Sequence, residues 1–176
     1  MEVGVGNFIT LGAGLYEVLA LSFHPQRGEV CVATASPCGC ELIEADAVSG
    51  DVLVRTPLGR RSVRHLQHQV VGSAEAGGGS TVLVLAYDGG DVEVWDTETR
   101  VLKDRMLPPK KDEGKAVTAI ASSATRTAAI IYYTRGGSAI ERVEVGTGKS
   151  MRSRPELPWH IQSQRQRQRR THTQNT

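Results

Sequence analysis

The sequence predicts an all-β chain built from a recurring four-stranded antiparallel unit, and three observations lead there. The runs VCVATA, TVLVLAY and AAIIYYT are rich in Val, Ile, Thr and Tyr. They are too short and too β-branched for helices, and read as strands. Gly with Asp or Ser clusters at Ser36–Gly39, Asp88-Gly89-Gly90 and Gly136-Gly137 separates the strands where positive φ is needed. No amphipathic pattern of three helical turns occurs anywhere in the 176 residues.

The strands fall into three aligned segments, Leu19–Val54, Val70–Leu102 and Val117–Met151. Each begins with a small-residue-rich strand carrying an apolar face, followed by a strongly apolar second strand. A third strand ends in an acid, and a Ser/Thr turn opens the fourth. The acids Asp46, Asp96 and Glu144 lie 50 and 48 residues apart, and so do the turns Ser49-Gly50, Thr99-Arg100 and Thr147-Gly148. In DVEVWD, Val92 and Val94 share one face, with Glu93 and Trp95 on the other. Near-continuous apolarity in the second strands implies sheets covered on both sides by neighbouring copies.

Radial stacking of such units is a β-propeller. Propellers close with four to eight blades, so the predicted fold is an incomplete β-propeller of about three four-stranded antiparallel blades. Residues 1–18 read as the end of a preceding blade or an N-terminal extension. The blades then span 19–66, 67–115 and 116–158, and 159–176 is a disordered basic Gln/Arg tail.

Asp88-Gly89-Gly90-Asp91-Val92-Glu93-Val94-Trp95-Asp96 resembles the end of a WD repeat, and LALSFHP resembles the opening strand of one. The resemblance spans roughly residues 15–157. It implies a buried network of inter-blade His, first-strand Ser, turn Asp and Trp, at His65, Ser73, Asp88 and Trp95. Arg64 stands where the family has Gly, and the first and third repeats lack the Trp. His65 also fits a second reading, as a solvated loop residue.

Other motifs reduce to structure. Gly146-Thr147-Gly148-Lys149-Ser150 ends like a phosphate loop, but Val143 stands where that loop needs Gly and the prolines of MRSRPELP exclude a following helix. Cys38-Gly39-Cys40, with Cys31 and His24, lacks the C-x₂₋₄-C pairs of a zinc site. Three clustered cysteines do not form a disulfide framework, which points to a reducing intracellular compartment, cytoplasm or nucleus. No run approaches the roughly 20 apolar residues of a spanning helix. No carboxylate pair or nucleophile–base set stands out, so neither catalysis nor a cofactor or metal is expected.

Net charge is +2, yet without the tail's Arg165, Arg167, Arg169 and Arg170 the chain holds 17 basic and 19 acidic residues. The strongest basic patch in the body, 55–68, carries Arg55, Arg60, Arg61 and Arg64. It is either a solvated connector or a docking place for an acidic partner or a phosphate backbone. The expected function is a non-catalytic protein-interaction scaffold, a subunit or fragment of a larger assembly, with other proteins as partners. The other reading is an RNA-binding module using this patch and the tail, and a membrane is not an expected partner.

Overall fold

The computed structural model describes residues 16–71, 80–125, 128–135, 140–146 and 150–152. Ser73, the residues before Tyr16 and the arginine tail lie outside that set. Three four-stranded antiparallel sheets account for nearly all of it. The first holds β1 (Glu17–Phe23), β2 (Glu29–Ser36), β3 (Gly39–Asp46) and β4 (Val52–Gly59), in chain order. The second holds β5 (Val63–Val71), β6 (Ser80–Tyr87), β7 (Val92–Asp96) and β8 (Leu102–Met106), again in chain order. The third holds β9 (Val117–Ala124), β10 (Ala128–Arg135), β11 (Ile140–Gly146) and β12 (Ser150–Arg152). Among the described residues the helical content is one 3-10 turn, Lys110–Asp112. This is an all-β architecture of the partial-propeller kind, and the motif ending in Ser150 runs into a strand.

The second sheet is the sandwiched one. Strand alternation sends Leu83, Leu85 and Tyr87 into a cluster with Cys31, Ala33, Leu42 and Leu58 of the first sheet. It sends Val82, Val84 and Ala86 the other way, against Ala129, Ile131, Tyr133 and Val143 of the third. Both faces of β6 are therefore dry, which is why its sequence shows no polar alternation. Each fully buried Val or Leu there contributes about 1.5–3 kcal/mol. Val92 and Val94 join the third-sheet side and Trp95 the first-sheet side.

The repeat persists in the hydrogen bonds. Asp46 Oδ1 accepts the Val48 and Ser49 amides at 2.8 and 2.7 Å, while Asp96 Oδ1 accepts those of Glu98 and Thr99 at 3.0 and 2.9 Å. Gly50 and Arg100 each donate their amide to the carbonyl of that acid at 2.9 Å and each has positive φ, +79° and +55°. The β3–β4 and β7–β8 ladders shift register at matching places, between Glu44 and Ala45 and between Val94 and Trp95. In the third sheet the corresponding 147–149 turn lies outside the described residues, and Glu144 sits within β11 rather than at its end.

Two boundaries differ from the sequence reading. The first sheet begins at Glu17, inside the 1–18 segment, and the second begins at Val63, before the 66/67 division, because VRHLQH is strand and not connector. A register shift between Val63 and His65 puts Val63 and Leu66 on one face. That bulge breaks the period-two pattern and disguised the strand as a polar link. Similar shifts occur in β1 between Val18 and Ala20 and opposite β9 between Thr134 and Arg135.

Candidate functional site: the seams between the sheets

Among the described residues, Glu93 and Arg135, two of the buried charged groups, lie where one sheet meets the next. At the first seam Glu93, 2% exposed, takes hydrogen bonds from Tyr87 Oη at 2.8 Å and Trp95 Nε1 at 3.1 Å. Its other oxygen pairs with Arg61, and Arg105 Nε lies 3.5 Å from it. Arg61 also lies over the Tyr87 ring, 4.5 Å from its centroid. Burial pushes the Glu93 carboxyl up, but these donors outweigh it and hold the group below its ordinary range. The Tyr87 hydroxyl is driven upward by burial and by the same carboxylate.

The second seam repeats the trio with a different arginine. Tyr133 Oη donates to Glu141 at 3.0 Å, and Arg135 pairs with Glu141 while stacking 4.8 Å from the Tyr133 centroid. Arg135 is buried and also donates to the carbonyls of Gly90 at 2.7 Å and Met106 at 3.5 Å, both in the second sheet. Burial pushes the Tyr133 hydroxyl up to about 12. In both seams a tyrosine at or near the end of the second strand meets a glutamate on the third, and an arginine locks the pair. Every carboxylate oxygen here is committed to a donor, so the trio fixes geometry.

Of the four network residues, the three that are described do not converge. His65 lies on β5, not in a loop, and its Nε2 meets the Val117 carbonyl across the second seam at 3.1 Å. Asp88 sits at the β6–β7 turn and pairs with Arg64 at 3.3 Å, both side chains about half exposed. Trp95 is turned to Glu93, and Ser73 is outside the described residues. The expected His–Asp link is displaced because the bulge puts His65 against the third sheet and leaves Arg64, in the place of a family Gly, next to Asp88. Sequence reasoning missed the Tyr–Glu–Arg trios. Tyr87 with Glu93, and Tyr133 with Glu141, keep nearly equal positions in their units, whereas Arg61 precedes its sheet and Arg135 closes a second strand.

The basic patch is largely spent within the fold. Arg55 pairs with Glu41, Arg61 with Glu93 and Arg64 with Asp88, while Arg60 is exposed in the β4–β5 link. Arg55–Glu41 has a counterpart one unit on, in Arg105–Asp91. Cys31 and Cys40 lie in the apolar first seam and Cys38 is exposed. Burial raises the Cys31 thiol well above its ordinary value. Among the described residues no group of three or more His, Cys, Asp or Glu is placed to hold a metal ion.

Asp96 ties its turn to β8. Burial works to raise its carboxyl, but Lys103 at 2.8 Å and the Thr99 amide bring it down to about 2. A carboxyl lowered on folding stabilises above its unfolded value near 4, and that stability is lost as pH falls from about 4 to about 2. Asp96→Asn should therefore cost about 1–3 kcal/mol at pH 7 and flatten the acid limb of stability measured by urea unfolding. An unchanged acid limb would remove Asp96 from that role.

No family model matches the chain, and no curated protein matches it by sequence. Solved structures do. The crystal structure of the computationally designed Ika4 protein superposes with a TM-score of 0.54 at 18% identity, covering 84% of this chain and 78% of that one. The structure of Saccharomyces cerevisiae Sqt1 gives a TM-score of 0.46 at 12% identity, covering 81% of this chain and 32% of that one. The likeness to Ika4 is one of fold.

Proposed function

We propose that the chain is a non-catalytic protein-interaction scaffold of the WD-repeat type, working inside the cell as part of a larger propeller assembly. The observation that carries this reading is the contrast between the middle and outer sheets. The second sheet has both faces covered. On the first sheet, the face turned from that seam holds a small apolar cluster of Val30, Val32 and Ala45 with Ala47, all from its own sheet and turn. Beside it Leu21 is 55% and Phe23 64% exposed on β1. Such a face suits a further blade, supplied by additional sequence or another chain. Arg55, Arg61 and Arg64, already paired with acids, give the RNA reading little support.

Light scattering after size exclusion tests this. The isolated chain at tens of micromolar should show a mass above one chain, and Leu21→Ser with Phe23→Ser should reduce it. A monodisperse monomer that both substitutions leave unchanged would mean the outer face needs no neighbour, and the assembly reading would fall.

A further inference from the structure

The first seam holds a feature that the scaffold reading does not use. A cleft of about 80 Å³ opens between the first and second sheets, with Cys31, Leu42, Leu58, Leu83, Leu85 and Trp95 in its apolar lining and two histidines beside them. His24 follows β1 and His68 lies on β5, so one belongs to each sheet. Their ring centroids are 5.1 Å apart.

Each ring reaches across the seam, and the neutral ring with a free Nδ1 lone pair suits the bonds of both. His68 gives its backbone amide to Ser22 Oγ at 2.9 Å, and its Nδ1 lies 3.0 Å from the same oxygen. Ser22 Oγ accepts that amide and keeps its own hydroxyl hydrogen, which it can give to an unprotonated Nδ1. His24 Nδ1 accepts the Gln26 amide at 3.2 Å, and its Nε2 faces Thr97 Oγ1 of the second sheet at 3.4 Å. Thr97 Oγ1 donates its own hydrogen bond to the Thr81 carbonyl at 2.9 Å. A proton on His24 Nδ1 would meet an N–H, and one on His68 Nδ1 would turn the Ser22 hydroxyl away. With both charged, two cations would lie with their ring centroids 5.1 Å apart.

We propose that this seam is an acid-sensitive hinge, latched at neutral pH by the uncharged His24–His68 pair and loosened when the rings take up protons.

Arg27 in the β1–β2 link opposes a charge on His24, while Glu29 on β2, Glu44 on β3 and Glu98 on the β7–β8 turn favour one. Arg27 is held by Glu98 and Arg100 by Glu44, which draws on both of those acids. Asp96, also on the cleft, is committed to Lys103 and its own turn. Burial comes first in lowering His24, and burial with the neighbouring His24 lowers His68 to about 4. Groups that fold below their unfolded value destabilise as pH falls from that value, 6.5, toward the folded one. The window is therefore about pH 6.5 to 4.

Trp95 lies on the cleft and reports its opening. With Trp159→Phe it is the sole tryptophan of the two. Titrated from pH 7.5 to 3.5, this protein should show a Trp95 emission change with a midpoint between about 4 and 6.5, while its far-UV sheet signal persists. His68→Gln should abolish the change. His24→Gln, a second variant should the first fail to fold, should move the midpoint upward by relieving His68 of a cationic neighbour. An unchanged midpoint in these variants, no transition above pH 4, or loss of the sheet signal together with the emission change would each overturn the proposal.

Discussion

Glu141→Ala is expected to cost about 3–5 kcal/mol, the range for stranding a buried charge. The Arg135 side chain is 1% exposed, and Glu141 is the anion that compensates it. Without that carboxylate the guanidinium keeps the Gly90 and Met106 carbonyls, which are dipoles and not a counter-charge. The Tyr133 hydroxyl loses its acceptor in the same step. In an Arg135→Met background no cation is stranded there, so Glu141→Ala should then cost only the orphaned Tyr133 hydroxyl, about 1–3 kcal/mol. Urea unfolding of the four proteins measures this. Equal costs in both backgrounds would show that Glu141 acts independently of Arg135, and the trio would cease to be a unit.

The second large effect is expected at Gly90. This residue has φ of +89°, and an added Cβ would lie 2.5 Å from the Lys115 carbonyl oxygen. Its own carbonyl receives Arg135 Nε from the third sheet. The β6–β7 turn is thus clamped between the link leading into the third sheet and a buried arginine of that sheet. Gly90→Ala combines left-handed strain with a backbone clash, and should destabilise by about 2–4 kcal/mol. Gly28→Ala is the control, since an added Cβ there meets nothing within 4 Å and φ is ordinary. Thermal unfolding should separate the two clearly, and similar melting temperatures would contradict the clamp.

These two sites show what the sequence disclosed and what it withheld. Strand identity was legible because VCVATA, TVLVLAY and AAIIYYT carry it locally. The repeat was legible because Asp46 and Asp96 bond to amides two and three residues ahead, a local motif that spacing reveals. Nothing local in the sequence marks Arg135, since its partners beyond Glu141 are a turn and a strand end in the neighbouring sheet. His65 was misplaced for a related reason: the bulge hides strand alternation, and its acceptor, Val117, is distant in sequence. Local chemistry shows in the sequence, whereas seam chemistry depends on how sheets rotate against one another. The fate of Ser73 and of Arg165, Arg167, Arg169 and Arg170 falls outside the described residues.

The central claim is that three like sheets stack in chain order, with the second covered on both faces. Methyl NOEs on an Ile/Leu/Val-labelled sample test it most directly. The account predicts cross-peaks joining Leu42 and Leu58 to Leu83 and Leu85, and a separate set joining Val82 and Val84 to Ile131 and Val143. Cross-peaks from Leu42 or Leu58 directly to Ile131 or Val143, or the loss of either predicted set, would contradict the stacking and the scaffold built on it.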